Sequence, residues 1–376
     1  MPKIPGRAPY TQVVHFAFAL PRRVEEQSLV KDVGIVGLPL SGKTTLFNAL
    51  TRAGVPTGGA AGKANVAAVP VPDRRVDVLA DLEHSRKRVF AQVRFVDVVA
   101  MAAGAKGSGL SAQGLGALRE VDALAMVLAA FGGTDPAEAA ADLNLELTVA
   151  DLESISGGAD KAVKRAKAGV KGAALEADTL VKARDLLDAG TPLRAATWEP
   201  EEEKALRNFS PLTLKPVLAV VNLGEDQVAE AAERAAAAER ALGLPAVAVP
   251  AALEAEAAEL DPADAAEFLA EYGVERGGLD QVVGTAWRLL DLQTFFTTGE
   301  DETRAWEVRR GATAPEAAGR IHSDLERGFI RAEVIAYDDL VAAGGWDAAR
   351  SKGLLRAEGR SYVVREADCL HIRFNV

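Results

Sequence analysis

Gly37-Leu-Pro-Leu-Ser-Gly-Lys-Thr-Thr45 is the segment that most strongly indicates how this chain folds. It has the Walker A spacing, in which a glycine and four further residues precede Gly-Lys-Ser/Thr. The apolar run Val33–Val36 precedes it, and Leu46–Leu50 reads as the opening of a helix. A strand, a glycine-rich loop and a helix in this order form a phosphate cradle, because backbone N–H groups and the helix N-terminus point at a polyphosphate. The alternative is a chance glycine-rich turn, which the two matching flanks disfavour.

The residues of this loop have distinct predicted roles. We expect the Lys43 ammonium group to reach the β- and γ-phosphate oxygens, which makes Lys43 the candidate catalytic residue. The Thr44 hydroxyl is expected to coordinate Mg²⁺, and backbone amides supply most of the other phosphate contacts. The cofactor-binding candidates of the loop are Gly37, Leu38, Pro39, Leu40, Ser41, Gly42, Lys43, Thr44 and Thr45.

A second metal ligand is expected at the end of a later strand. Val93-Arg-Phe-Val-Asp97 is an apolar run that ends where a Walker B aspartate would hold Mg²⁺ through water. Apolar strands often end in aspartate for structural reasons, but the position downstream of a P-loop favours the metal role for Asp97. The segment Gly104–Gly116 is rich in Gly, Ser and Ala. We expect it to be a mobile loop in the switch II position or an ordinary surface loop.

Composition bounds the class of protein. A chain of 376 residues suggests two or three domains, and a hydrophobic content of 49% is typical of a globular protein. The net charge of −11 argues against a surface covered throughout by nucleic acid, although it is compatible with a local basic face. The single cysteine, Cys369, excludes an internal disulfide and fits a reducing cytoplasm. The histidines are scattered, so we expect no zinc site.

Residues 1–30 read as a loose N-terminal extension. Its apolar run, Val13–Leu20, is too short to span a bilayer, so we expect no membrane association. Lys3 and Arg7 lie in front of this run, but no small-residue cleavage site follows it, which argues against a signal peptide. Translation from an upstream start would explain such an extension, and an edge strand or a partner-binding arm is the alternative.

The rest of the chain shows three successive patterns. Short β-branched runs and helical stretches up to Phe131 predict a mostly parallel α/β sheet. A charged helical hairpin follows, and the α/β pattern then returns with strands at Pro216–Asn222 and Pro245–Pro250 around a helix at Ala231–Leu242. Short strands at Arg304–Val308 and Ser361–Arg365 indicate a small α+β module. The predicted division is an extension at 1–30, a P-loop domain at 31–141 and 207–290, a helical arm at 142–206 and a C-terminal domain at 291–376.

A basic cluster stands out within the helical arm of this acidic chain. It could contact RNA phosphates, although clusters of this kind more often form only a solvated face. Its members are Lys161, Lys164, Arg165, Lys167 and Lys171.

Several segments in one order resemble the Obg-like ATPases of the YchF type over about residues 31–376. The resemblance covers the P-loop strand, the segment Val69-Pro-Val-Pro-Asp73 and, most specifically, the C-terminal part. The C-terminal matches are Leu292–Gly299, Ala318–Asp324, Gly328–Val334, Tyr337–Asp339 and Arg373–Val376. The resemblance implies an α/β P-loop NTPase domain with an inserted coiled-coil arm, followed by an α+β ubiquitin-like (TGS) domain. It also implies a ribosomal or other RNA-containing partner, reached through the arm and the TGS domain.

The choice of base is predicted from Asn222-Leu-Gly-Glu225. Most GTPases carry Asn-Lys-x-Asp at this point, and the aspartate accepts hydrogen bonds from guanine. Leu223 cannot make the contact of the usual lysine, and Glu225 has a longer side chain than the usual aspartate. This pattern resembles the Asn-x-x-Glu variant of YchF-type proteins that favour adenine. An unpaired buried polar group costs about 1–3 kcal/mol, so we expect ATP to bind more tightly than GTP, with Asn222, Leu223 and Glu225 at the base. The serine of the family's later base loop is missing, because Pro250-Ala251 stands there.

The loop and switch regions depart from the family pattern in ways that bear on hydrolysis. Leu40 stands where the family has an asparagine, and Ala61, with Thr57 nearby, stands where it has the Mg²⁺-binding threonine of switch I. Ala100 replaces the switch II glycine, and a histidine of the family is replaced near Met126. The loss of one placed donor can slow phosphoryl transfer by about 10²–10³ while ground-state binding survives. We therefore expect slow turnover.

Two functions of different classes follow from these observations. The first is an ATPase switch for a partner in translation or stress response, whose loops near residues 57–65 and 100–113 relax on hydrolysis. The second is a degenerate paralogue that binds nucleotide, or nothing, and acts as a scaffold. The intact Lys43-Thr44 pair favours the ATPase, and Asn222–Glu225 argues against a GTPase. We expect a cytoplasmic monomer.

Overall fold

The computed structural model describes residues 31–52, 54, 64–98, 111–274 and 277–375. Some of the expectations above concern residues outside these ranges and stay predictions. They are the extension at 1–30, the switch I positions Thr57 and Ala61, and Ala100 with most of Gly104–Gly116.

Strands and helices alternate through most of the described chain. The strands are β1 Asp32–Gly37, β2 Asn65–Pro70, β3 Arg88–Val89, β4 Gln92–Asp97, β5 Ala123–Ala129, β6 Val217–Asn222, β7 Ala246–Val249, β8 Leu292–Thr297, β9 Thr303–Arg309, β10 Phe329–Ala336, β11 Arg356–Glu358 and β12 Asp368–Phe374. The α-helices are α1 Lys43–Thr51, α2 Arg74–Leu82, α3 Ala112–Glu120, α4 Pro136–Lys167, α5 Ala173–Asp188, α6 Pro200–Arg207, α7 Ala231–Leu242, α8 Ala251–Ala257, α9 Pro262–Glu271, α10 Gly278–Leu289, α11 Ala314–Ile321, α12 Ser323–Arg327, α13 Tyr337–Ala343 and α14 Trp346–Ser351. Short 3₁₀ turns lie at Leu193–Ala195, Leu212–Leu214 and Glu225–Glu230.

The chain divides into two compact units, each of which is discontinuous in sequence. The larger unit comprises Val30–Pro72 and Ala91–Gln293. The smaller unit comprises Asp73–Phe90 together with the chain from Thr294 onward. Residues 73–90, which sequence reasoning placed in the first domain, therefore group with the C-terminal part of the chain.

The sheet of the larger unit has the strand order β2-β4-β1-β5-β6-β7. β2 pairs antiparallel with β4, and the other neighbouring pairs run parallel, which confirms the predicted mostly parallel α/β sheet. Every residue of β5 and β6 is buried, because both strands are almost continuous apolar runs covered on both faces. The carboxyl ends of parallel strands meet at one edge, so β1, β4 and β6 bring Gly37, Asp97 and Asn222 to the same edge.

A helical arm, α4 to α6, is inserted between β5 and β6. Its helices share a core that includes Ile155 of α4 and Leu180 of α5. α4 begins at Pro136 instead of near residue 142, because Asp135 caps the Ala137 amide at 2.9 Å and proline is favourable at the first helical position. Six residues separate the end of β5 from the start of this helix, which therefore begins before the predicted start of the arm.

The sheet of the smaller unit has the order β11-β10-β12-β8-β9-β3. β10 runs antiparallel to β11 and β12, whereas β12–β8 and β3–β9 are parallel pairs. Phe295, Trp306, Val334 and Leu370 are among the side chains of its core. The mixed strands and short helices of this unit confirm the predicted small α+β module.

The strand predicted at Ser361–Arg365 is wrong. Val363 makes one isolated bridge with Thr313. The segment pairs with the loop before α11 and with the first residue of that helix, since the Val364 amide donates to the Ala312 carbonyl at 2.9 Å and the Ala314 amide donates to the Tyr362 carbonyl at 2.8 Å. Its alternating pattern therefore reflects the packing of Tyr362 and Val364 on the core and not a place in the sheet.

Among the helices described, none combines the length and the apolar composition that a bilayer span requires.

Candidate nucleotide-binding site

Two glycines allow the loop after β1 to fold back on itself. A Cβ on Gly37 would lie 2.6 Å from Ser41 Oγ and 2.6 Å from the Val127 carbonyl oxygen. Gly42 has a φ of +91°, and a Cβ there would lie 2.1 Å from Asn222 Nδ2. Packing around the loop therefore requires glycine at both positions of the Walker A spacing, in addition to any requirement set by the close approach of a phosphate.

The N-terminus of α1 is open to an anion. Its N-cap, Gly42, provides no side-chain hydrogen bond, and no acidic residue stands in the first turn. By contrast, Asp73 caps α2 and Ser111 caps α3 through their side chains. Because the first amides of a helix lack partners within the helix and carry the positive end of its dipole, α1 favours a bound phosphate.

The Lys43 ammonium group lies inside the loop. Its Nζ donates a hydrogen bond to the Leu38 carbonyl oxygen at 2.8 Å, and the residue is 8% exposed. Burial lowers the pKa of Lys43, while the negative charges of Asp97 and Glu146 act in the opposite direction. A phosphate oxygen is a stronger, charged acceptor than this carbonyl, so the ammonium group is placed to exchange one for the other.

Thr44 and Asp97 meet where β4 ends. Thr44 Oγ1 donates to Asp97 Oδ2 at 3.2 Å, and Asn65 Nδ2 donates to the same oxygen at 3.5 Å. Burial raises the pKa of Asp97, and the hydrogen bonds from Thr44 and Asn65 and the charge of Lys43 lower it. The two predicted metal ligands are therefore direct neighbours, although they lie far apart in sequence.

This pair of side chains fits a hard divalent cation. A hydroxyl and a carboxylate are the oxygen donors that Mg²⁺ prefers. Asp97 Oδ1 is buried and lacks a hydrogen-bond partner within the part of the chain that the structure describes. A buried carboxylate oxygen without a partner is costly, and a bound cation would satisfy it.

Asn222 connects two loops. It is 4% exposed, its Nδ2 donates to the Ser41 carbonyl at 2.9 Å, and its Oδ1 accepts from the Ala251 amide at 3.1 Å. Both ends of the side-chain amide thus bond to protein backbone. Asn222 holds the P-loop against the loop between β7 and α8, and its contribution to a base site is to position these loops.

The other two residues predicted at the base lie in different surroundings. Leu223 is 3% exposed and packs with Val221 and Ala238. Glu225 is exposed and opens the 3₁₀ turn that follows β6. The structure therefore brings Asn222 next to the P-loop, places the Leu223 side chain in the core, and leaves the Glu225 carboxylate at the surface.

The remaining loop residues differ in exposure. Leu38 and Thr45 are half-buried, and Pro39 is exposed. Leu40 is 92% exposed with a φ of +64°, a conformation that asparagine tolerates better than leucine. Met126 is fully buried within β5, so no side chain from this position reaches the surface.

Sequence reasoning missed two participants in the site. Asn65, the first residue of β2, donates to Asp97, and the Ala251 amide donates to Asn222. The position of Asn65 just after the switch I region was the one signal that could have indicated it. The Ala251 contact uses a backbone amide, which leaves no side-chain signal at all.

Residues 32–156 match the family MMR_HSR1, described as 50S ribosome-binding GTPase. Residues 292–375 match the family YchF-GTPase_C, described as a protein of unknown function (DUF933). The first match contains the P-loop and Asp97, and the second contains most of the smaller unit.

Similar proteins cover almost the whole chain. The Haemophilus ducreyi protein named "Ribosome-binding ATPase YchF" is 41% identical over 365 residues, which span 91% of this chain and 99% of that protein. "Obg-like ATPase 1" of Oryza sativa subsp. indica is 33% identical over 363 residues, 92% of each chain. The solved structure of the Schizosaccharomyces pombe YchF GTPase superposes with a TM-score of 0.81 at 27% identity, over 92% of this chain and 98% of that one.

Proposed function

The chain belongs to the YchF family of Obg-like ATPases, and from this we propose that it binds ATP with Mg²⁺ and hydrolyses it slowly. The observation that carries the proposal is the convergence of Lys43, Thr44 and Asp97 at an uncapped helix N-terminus. A triphosphate site requires an anion cradle, a cation and a carboxylate that can bind a metal ion, and all three are found there.

In this proposal each side chain has one role. Lys43 neutralises the β- and γ-phosphates, and the amides from Gly37 to Thr45 surround the phosphate chain. Thr44 and Asp97 hold Mg²⁺, which would offset the charge of the phosphates. The Asp97 oxygen that lacks a hydrogen-bond partner among the described residues supports this assignment, and so does the 3.2 Å contact between Thr44 and Asp97.

We propose that ATP is preferred over GTP, and that Glu225 contributes to the choice. The names of the relatives differ on this point, since the bacterial and rice proteins are named ATPases and the fission-yeast protein a GTPase. Asn222 supports the base site indirectly, because its amide bonds to the backbone of two loops. Glu225 is exposed and therefore available to a base.

For the partner we propose the ribosome or another RNA-containing assembly in the cytoplasm, contacted through the helical arm and the C-terminal domain. The names of the bacterial relatives, which include ribosome binding, support this choice. We keep the predicted division into a P-loop domain, a coiled-coil arm and a TGS domain as part of the proposal, and we propose that the protein acts as a monomer.

The test uses purified protein free of contaminating ATPases. Calorimetry measures the affinities for ATP and GTP with Mg²⁺, and phosphate release measures hydrolysis, for wild type, Lys43→Ala and the surface control Lys204→Ala. We expect ATP to bind more tightly than GTP, and Lys43→Ala to lose binding and hydrolysis while Lys204→Ala keeps both. Glu225→Ala should reduce the ratio of ATP to GTP affinity.

The possible outcomes separate the candidate functions. ATP binding without measurable phosphate release would support the nucleotide-binding scaffold instead of the ATPase. Tighter binding of GTP than of ATP would overturn the base assignment. Hydrolysis that survives Lys43→Ala would contradict the whole site.

A further inference from the structure

The turn that carries Glu225 is tied to the sheet by one side chain. Gln227, the third residue of this 3₁₀ turn, uses both ends of its side-chain amide. Its Oε1 accepts from the Gly224 amide at 3.0 Å, and its Nε2 donates to the Ala130 carbonyl at 2.7 Å. The first bond closes the turn locally, whereas the second reaches a residue 97 positions earlier in the chain. Gln227 therefore joins the turn after β6 to the end of β5.

The carbonyl that Gln227 reaches belongs to a well-held part of the backbone. Ala130 directly follows β5, is 6% exposed, and its amide donates to the Asn222 carbonyl at 2.8 Å, which extends the parallel pairing of β5 with β6. At the start of the turn segment, the Leu223 amide donates to the Val249 carbonyl at 3.0 Å. The backbone on both sides of the turn is therefore fixed by the neighbouring strands β5 and β7.

Glu225 lies between two anchored residues. Gly224 precedes it, Gln227 follows two residues later, and the Gln227 amide also donates to the Gly224 carbonyl at 3.1 Å. The turn packs inward through Val228, which is 8% exposed, whereas Glu225 is exposed. The backbone of Glu225 is thus held in place while its side chain is available to a ligand.

The position of this carboxylate decides which base it can bind. Adenine carries an N–H donor, its 6-amino group, at the place where guanine carries the O6 acceptor. The donors of guanine, N1–H and the 2-amino group, lie further along the same edge of the ring. A carboxylate opposite the 6-position therefore binds adenine and is repelled by O6 of guanine, whereas a carboxylate displaced along that edge binds guanine. Preference between the bases depends on where the turn holds the glutamate as well as on the glutamate itself.

We propose that Gln227 is a positioning residue for base choice, which holds the turn of Glu225 at the end of β5. This assignment rests on the proposed function, in which ATP is preferred and Glu225 contributes to the preference. Glu225 is the residue that contacts the base, and Gln227 acts through the backbone of the turn.

A purely local role as a cap of the turn explains one of the two amide bonds. Glutamate would serve this purpose as well as glutamine, because the Gly224 amide needs only an acceptor at this position. The bond to the Ala130 carbonyl requires an N–H donor at the end of the side chain, which an ionised glutamate lacks. The amide of Gln227 therefore meets a second requirement, which is the connection to β5.

The experiment uses this difference between the two bonds. Gln227→Glu keeps an acceptor for the Gly224 amide but loses the donor to Ala130, and Gln227→Met loses both bonds in a side chain of similar length. Gln281→Met, at an exposed glutamine of α10, is the matched control. These full-length variants, Glu225→Ala and the double variant Glu225→Ala with Gln227→Met are titrated with ATP and with GTP, each with Mg²⁺, by calorimetry. Circular dichroism and chemical denaturation measure folding and stability.

We expect Gln227→Met to reduce the ratio of ATP to GTP affinity by about threefold to tenfold, the range that the loss of one hydrogen bond produces in an equilibrium constant. Gln227→Glu should reduce the ratio as well, although it keeps the cap of the turn, and Gln281→Met should leave it unchanged. The double variant should have the ratio of Glu225→Ala alone, because Gln227 acts only through Glu225.

Two results would overturn the proposal. If the Gln227 variants lower stability, or weaken ATP and GTP binding by the same factor, with an unchanged ratio, the amide serves only the structure of the turn. If the effects of Glu225→Ala and Gln227→Met on the ratio multiply in the double variant, the two residues act separately.

Glu225→Ala alone distinguishes a failure of the proposed function from a failure of this assignment. A wild-type ratio in Glu225→Ala shows that the proposed role of Glu225 is wrong, and the role of Gln227 falls with it. A reduced ratio in Glu225→Ala together with a wild-type ratio in Gln227→Met leaves the proposed function standing and overturns only the positioning role.

Discussion

At the scale of single residues, Leu40 combines two features that are unfavourable in a folded chain. Its backbone adopts the left-handed region with a φ of +64°, and its apolar side chain is 92% exposed. For a residue with a Cβ, this conformation costs about 1–2 kcal/mol. The side chain offsets none of this cost by burial, so Leu40 is a strained position in the P-loop.

We predict that Leu40→Asn stabilises the nucleotide-free protein by about 0.5–1 kcal/mol, because asparagine tolerates the left-handed region. Chemical denaturation measures the change in the free energy of unfolding. Leu40→Ala is the matched control, since alanine removes the exposed side chain but keeps a Cβ. An equal gain in both variants would show that exposure, and not backbone strain, is the cause.

Asn222 carries a second prediction at this scale. Asn222→Ala removes the bonds to the Ser41 carbonyl and the Ala251 amide, and leaves both groups buried without that partner. We expect the free energy of unfolding to fall by about 2–3 kcal/mol. The affinities for ATP and GTP should weaken by the same factor, because the amide positions loops instead of reading a base. Calorimetry with both nucleotides checks this, and a changed ATP to GTP ratio would contradict it.

His371 makes the smaller unit sensitive to acid. Its ring stacks on Trp346 with centroids 4.0 Å apart, and burial, aided by the charge of Arg373, lowers the pKa of His371 to about 4. In the unfolded chain the His371 imidazole binds a proton near pH 6.5, whereas in the folded chain it does not. Stability is therefore lost as the pH falls from about 6.5 to about 4, by at most about 3 kcal/mol. Denaturation of wild type and His371→Phe over this range tests the prediction, and parallel curves would refute it.

At the scale of elements, the arm depends on its buried carboxylate. Asp151 accepts from the Leu212 and Thr213 amides and from Thr213 Oγ1 at 2.8 Å. Asp151→Ala leaves these donors without that partner, and it also removes the negative charge next to the Arg119 guanidinium group. We therefore expect a loss of about 3–5 kcal/mol in the free energy of unfolding, measured by chemical denaturation. Asp160→Ala, an exposed acid on the same helix, should change it by less than about 0.5 kcal/mol.

Helices and strands were predicted from sequence where one local pattern sufficed. The helix at Ala231–Leu242 was placed correctly because an alanine-rich run has a strong intrinsic preference for helix. The start of α4 was placed too late, since the Asp135-Pro136 start signal was overlooked. The segment Ser361–Arg365 has strand-like alternation, but strand formation depends on the partner available, and the partner here is a loop.

At the scale of the whole molecule, the smaller unit is completed by a distant part of the chain. β3 pairs with β9, Ser85 Oγ donates to the Gly299 carbonyl at 2.6 Å, and Glu83 accepts from the Trp346 amide at 3.0 Å. α2 and β3 thus supply contacts that the C-terminal segment cannot make by itself.

We predict that residues 291–376 alone do not form a stable fold. Without residues 73–90 the fragment loses the β3 edge of its sheet and the contacts of Ser85 and Glu83. Thermal unfolding followed by circular dichroism should show a cooperative transition only when residues 73–90 are joined to the fragment through a flexible linker. The same midpoint for both polypeptides would contradict the prediction.

The phosphate-binding loop, the mostly parallel sheet and the family could be predicted from the amino-acid sequence, because each depends on contiguous residues whose spacing and hydrophobicity act locally. Lys43, Thr44 and Asp97 could be nominated in this way. Three features became evident only in the folded chain: Asn222 bonds to Ser41, Asn65 bonds to Asp97, and residues 73–90 complete the smaller unit. These contacts join distant parts of the chain, and such partners are selected by the packing of the whole fold, which leaves no pattern in either segment alone.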